Sequence, residues 1–92
     1  MLKIVPSTRF KKDLKTAIKR GYKLDRLQSV VDTLAARKPL PEKCRDHSLA
    51  GEYSDYRECH IEPDWLLIYR FMDEELELFL FRTGTHADLF DL

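Results

Sequence analysis

The chain reads as an α+β fold in which an N-terminal strand and a helical hairpin pack on an antiparallel sheet. Two observations predict this class. Apolar residues recur at spacings of three and four through the first half and at alternate positions from Tyr53 onward. The extended segments of the second half are separated by the turn pairs Pro63-Asp64 and Asp73-Glu74. A length of 92 residues supports one domain over 1-92 with a modest core, and is too short for two separate interiors.

Met1 to Val5 forms a short strand, which Pro6 and Ser7 end while offering an N-cap to a first helix. Phe10, Leu14 and Ile18 fall on one face of that helix, with Lys11, Lys12, Lys15, Lys19 and Arg20 mostly on the other, and Gly21 stops it. Leu24, Leu27, Val31 and Leu34 place a second helix directly after, closed by Pro39 and Pro41. So short a connection predicts an antiparallel hairpin. A polar loop from Arg37 to Gly51 carries Asp46 and His47, and loops of that length in small domains are often functional. Tyr56 to Glu62, Trp65 to Met72 and Glu75 to Arg82 are the strands of a meander. Leu66 and Ile68, and likewise Leu76, Leu78 and Leu80, are expected to face the helices. Thr83-Gly84-Thr85 ends the last strand, and His86 to Leu92 forms a tail.

The formal net charge of zero hides a division. Up to Arg45 there are 13 Lys and Arg against 4 Asp and Glu, a net of +9; from Asp46 onward there are 3 against 12, a net of −9. Such asymmetry supports two readings, a basic surface that meets RNA or two halves that attract each other across the fold. The longest strongly apolar run, Trp65 to Met72, contains Arg70 and is far too short to span a bilayer, so no membrane role is expected. The N-terminus has no signal-peptide pattern, so Cys44 and Cys59 are expected to be reduced thiols of a cytoplasmic protein.

Three histidines, His47, His60 and His86, stand in or beside loops and strand ends of the second half. Imidazoles titrate near neutrality, so a pair of them can act as base and acid in one reaction. RNA cleavage through the 2'-OH suits this set, because it needs a base, an acid and a cation for the phosphate but no metal or other cofactor. Arg82 at a strand end fits the cation, although an ion pair with an acidic neighbour is the simpler reading of that residue alone. Asp64 sits in a turn, where aspartates usually bond their own backbone. Trp65 and Phe90 can stack on splayed bases or fill a core, and Tyr69 has the same two readings. Cys44, His47, Cys59 and His60 supply four potential zinc ligands, but Cys59 and His60 are adjacent on a strand and point to opposite faces.

The segments Asp46-His47-Ser48-Leu49-Ala50-Gly51, Tyr56 to Trp65, and Arg82 to Phe90, in this order and spacing, resemble the YafQ subgroup of the RelE/ParE toxins. The resemblance implies a RelE-like, microbial RNase-like fold and a ribosome-dependent endoribonuclease that cuts translated messenger RNA. It also implies a cognate antitoxin of the DinJ/RelB kind as partner. Carried over by position, the functional set is His47, His60, Asp64, Trp65, Arg82, His86 and Phe90. His86 would be the acid to the leaving 5'-oxygen, His60 or Asp64 the base, and His47 would position the phosphate or share proton transfer. Glu58 stands where the related toxin has the shorter Asp. Lys11, Lys12, Lys15 and Lys19 are the expected ribosomal RNA contacts, salt-sensitive and largely indifferent to sequence. The competing expectations are a non-catalytic toxin that binds a target such as gyrase, which would have no chemical use for three imidazoles, and a metal-dependent hydrolase.

Overall fold

The computed structural model describes residues 1–90, so the last two residues of the expected tail, 91 and 92, lie outside the described residues. The elements are β1 (Lys3–Pro6), α1 (Thr8–Lys19), α2 (Leu24–Ala35), a 3-10 turn at Glu42–Cys44, β2 (His47–Ser48), a second 3-10 turn at Gly51–Tyr53, β3 (Arg57–Glu62), β4 (Trp65–Met72), β5 (Glu77–Gly84) and α3 (His86–Phe90). The strands form one sheet in the order β1-β5-β4-β3-β2. The meander is antiparallel as expected, while β1 joins the edge of β5 in parallel, because two helices carry the chain away between them. The polar loop contributes the short strand β2, and part of the tail is helical.

Local chemistry fixes the helix ends. The Ser7 hydroxyl caps α1 by accepting from the Phe10 N–H at 2.9 Å, and it donates to the Phe81 carbonyl at 2.6 Å, tying the cap to β5. At the far end Tyr22 N–H reaches Ala17 O and Gly21 N–H reaches Ile18 O, with Gly21 at φ 75°, a Schellman closure. α2 closes the same way, Lys38 N–H to Thr33 O and Arg37 N–H to Leu34 O, but with Arg37 in the left-handed position at φ 56°. The helix thus stops ahead of Pro39. The proline disfavours a helical Lys38 before it, and the capping bonds do the rest.

Phe10, Ala17, Leu27, Val31, Leu34 and Ala35 pack against Trp65, Leu67, Tyr69, Leu78 and Leu80 in one core cluster. Leu66 and Ile68 therefore do not face the helices as expected. They lie on the opposite face of β4, in register with His60 and Gly84 and with Glu58 and Arg82 respectively. Trp65 to Tyr69 are all buried, so this central strand is covered on both faces and its apolar run carries no alternation to read. Leu76 is also no part of the core; it is exposed, in a left-handed turn position at φ 55°.

A β-bulge decides what β5 presents. Tyr69 pairs with Leu80 but Ile68 pairs with Arg82, leaving Phe81 as the extra residue. Before it, Leu78 and Leu80 point to the helices. After it the phase is reversed, so Arg82 shares the face of Ile68 and Glu58 while Thr83 turns inward. There Thr83 accepts from the Trp65 indole N–H at 2.9 Å and donates to the Leu66 carbonyl at 2.6 Å.

Candidate active site

The face of the sheet turned away from the helices gathers the titratable groups. Glu58 and His60 lie two residues apart on β3 and so share this face, with Cys59 between them pointing into the core. Glu58 is only 6% exposed, and its Oε1 lies 3.4 Å from His60 Nε2 and 3.9 Å from His47 Nε2. One buried carboxylate thus stands between two imidazoles.

His47 arrives on β2, in register with Glu58. Its Nδ1 is 2.7 Å from the Arg45 carbonyl, which can only accept, so the ring proton sits on Nδ1 and Nε2 faces the carboxylate. The preceding residue anchors this loop. Asp46 accepts from Arg57 Nε at 3.3 Å and Nη2 at 3.2 Å and from the Tyr69 hydroxyl, which rises from the core. Burial and the Asp46 carboxylate push the Tyr69 phenol well up, so it stays a neutral donor.

His86 opens α3. Asp64, in the turn between β3 and β4, accepts from the His86 main-chain N–H at 2.9 Å and from its ring Nδ1 at 2.6 Å. These two bonds hold the Asp64 carboxyl below the usual carboxylate range. They also fix the ring so that Nε2 is the nitrogen left to act. The His86 and His60 rings stand 5.6 Å apart, edge to face.

Of the remaining expected residues, Phe90 lies one helical turn beyond His86 on α3 and is 41% exposed, open to stacking. Trp65 differs from expectation. It is 1% exposed, set against Tyr22 with ring centroids 4.9 Å apart, so its ring supports the site from inside the core. Arg82 is in register with Ile68, but its Nε and Nη2 both engage Asp13 of α1 at 3.0 Å, and the same carboxylate takes the Thr83 N–H at 3.2 Å. Lys11, Lys12, Lys15 and Lys19 are all exposed on α1.

The zinc set weighed from sequence does not converge, since Cys44 and Cys59 are both buried in the core. Among the described residues a different trio does: ligand atoms of Glu58, His60 and His86 all lie within 4.8 Å of one another, a spacing that fits a divalent transition metal as well as a proton-transfer site. Glu58 is the member that sequence reasoning left out of the site. The signal was present in the period of two that joins it to His60.

The sequence and the fold both have known relatives. The family described as bacterial toxin of type II toxin-antitoxin system, YafQ, matches over residues 2–91. The mRNA interferase toxin YafQ of Escherichia coli strain K12 is 42% identical over 85 residues, covering 91% of this chain and 90% of the relative. A metal-bound toxin from Helicobacter pylori superimposes with a TM-score of 0.93 at 48% identity, covering 98% of this chain and 100% of that one. The toxin of the E. coli DinJ-YafQ complex superimposes with a TM-score of 0.89 at 41% identity, over 98% and 99%. Sequence and fold together place this chain in the YafQ family of type II toxin-antitoxin toxins.

Proposed function

We propose that this toxin is an endoribonuclease that cuts messenger RNA on the ribosome, with its own side chains as acid and base, and that a cognate antitoxin of the DinJ kind neutralises it. The observation that carries the reading is the pair of carboxylate-imidazole couples, Glu58-His60 and Asp64-His86, whose rings stand 5.6 Å apart. His60, oriented by Glu58, takes the proton from the ribose 2'-OH. The 2'-oxygen attacks phosphorus, and the 5'-oxygen leaves with a proton from His86 Nε2. The products are a 2',3'-cyclic phosphate and a free 5'-hydroxyl.

Asp64 serves as the orienting group and not the base, because both its bonds go to His86 and its carboxyl is held low, which weakens it as a proton acceptor. His47 binds the phosphate. Arg82, turned to this face by the bulge and held in a fork by Asp13, meets the charge that develops on the phosphate oxygens. Family membership and the named activity of the E. coli relative support messenger RNA as substrate, and the toxin in the DinJ-YafQ complex supports the antitoxin.

The test is the chemistry of the cut ends. Fragments from a translated message should carry 5'-hydroxyls and cyclic phosphates, and the same message without a start codon should stay whole. Ends bearing 5'-phosphates, or equal cutting of both messages, would rule the mechanism out.

A further inference from the structure

We propose that the cleft beside His60 and His86 is a second RNA subsite, in which Arg26, Lys43 and Arg45 hold the phosphate of the nucleotide adjoining the scissile bond. The inference rests on the ribonuclease reading above and adds to it where the strand goes next.

The cleft exists because β2 is short. It pairs with Arg57 and Glu58 only, so the edge of β3 from His60 to Glu62 is left to the 3-10 turn at Glu42–Cys44 and to α2. The space between them is about 550 Å³, within the range of roughly 300–1,000 Å³ typical of ligand sites. His60 and His86 line it, which makes it continuous with the proposed catalytic groups. Arg26, Lys43 and Arg45 line it too, each from a different part of the chain, α2, the 3-10 turn and the residue after that turn.

The charge is unbalanced. Glu62 is the acid in the lining, and Arg26 pairs with it at 3.1 Å. Among the described residues neither Lys43 nor Arg45 has an acidic partner, in contrast to Arg20, Arg26, Arg37 and Arg57, which all bridge to carboxylates. Two unpaired cations beside proton-transfer groups suit a phosphodiester. Arg45 is also placed by its backbone and not left to chance. It sits in the left-handed region at φ 48°, its N–H bonds the Glu42 carbonyl at 3.0 Å, and its own carbonyl holds His47 Nδ1 at 2.7 Å. The residue that fixes His47 therefore also delivers a cation to the cleft.

The probe is a fluorescent RNA hexanucleotide with 2'-O-methyl groups throughout, which cannot be cut, titrated into the purified toxin at several salt concentrations. Lys43→Gln/Arg45→Gln should weaken binding about tenfold and flatten the salt slope by about 0.7, the contribution of one single-strand phosphate contact. Lys3→Gln/Arg9→Gln, which removes the same charge from β1 and the start of α1, should shift binding far less. On programmed ribosomes the cleft variant should raise KM and keep kcat, and His86→Ala should lower kcat and keep hexanucleotide binding. If the cleft variant binds the hexanucleotide as well as wild type, the subsite is refuted, and a raised KM on ribosomes would then assign these cations to ribosomal RNA. If the wild-type chain leaves programmed messages whole, the ribonuclease assignment beneath the inference fails instead.

Discussion

Glu58 illustrates how one side chain sets the chemistry of its neighbours. Glu58 is only 6% exposed, and two imidazole nitrogens lie within reach of its Oε1, at 3.4 and 3.9 Å. Replacing it by Gln keeps the shape but removes the group that orients His60, and the cutting rate should fall on the order of 100-fold, as when general base catalysis is impaired. Glu58→Asp should retain part of the rate; single-turnover kinetics on programmed ribosomes would show both. Trp65 makes the opposite kind of contribution. Its indole N–H finds Thr83 inside the core, so Trp65→Ala should cost about 3–5 kcal/mol in urea unfolding, while Trp65→Phe should cost about 1–2 kcal/mol and leave RNA affinity unchanged. A loss of RNA affinity in a folded Trp65→Phe variant would return the ring to the binding surface. The family resemblance singled out the histidines, Asp64 and Phe90, whereas position alone left Asp64 a turn residue and Phe90 a stacking or core ring. The burial of Trp65 was not, since stacking and packing rings look alike until neighbours such as Tyr22 are known.

At the scale of elements, α3 is five residues long and owes its place to bonds from elsewhere. Asp64 receives its first N–H, and Arg20 of α1 clamps Asp88 through two contacts of 2.6 and 3.1 Å. Hydrogen bonds, from His86 for Asp64 and mainly from Arg20 for Asp88, hold both carboxyls below the ordinary carboxylate range. A depressed folded value means that each contribution is complete above the unfolded pKa of about 4 and is lost as pH falls through the lower folded value. Acidification below about pH 4 should therefore loosen α3 first. Hydrogen exchange would see this as lost protection at the Leu89 amide, which bonds Thr85 O, while β4 stays protected. Loss of both together would mean that α3 has no separate anchor. At Gly84, where β5 turns into α3 with φ 158°, an added Cβ would stand 3.0 Å from the Asp88 Cβ and Oδ2, so Asp88 would have to give way. Gly84→Ala should consequently displace α3 and His86, and reduce cutting more than stability. Apolar periodicity announced both long helices, but a five-residue helix defined by distant partners leaves no periodic trace.

For the whole molecule, the division of charge is resolved by residue type. Arg20, Arg26 and Arg37 of the basic half bridge to Asp88, Glu62 and Asp73 of the acidic half, while Lys11, Lys12, Lys15 and Lys19 remain exposed and, among the described residues, enter no ion pair. The arginines thus join the two halves, and the lysines leave an exposed basic stripe on α1. The strands of the meander and the fold class were readable from the switch in period at Tyr53. The parallel edge strand and the face of Arg82 were not, because the first depends on long-range pairing and the second on a bulge at Phe81 that no local pattern marks. The proposed mechanism makes cutting depend above all on His86 as a proton donor, at a site built by three strands and a short helix. The most direct measurement maps new 5' ends on a translated message, and on its copy lacking a start codon, after induction of the wild-type chain or of His86→Ala. Frame-registered cuts that require both translation and His86 are the predicted result. Growth arrest without new ends, unchanged by the substitution, would contradict it and point to a toxin that acts by binding alone.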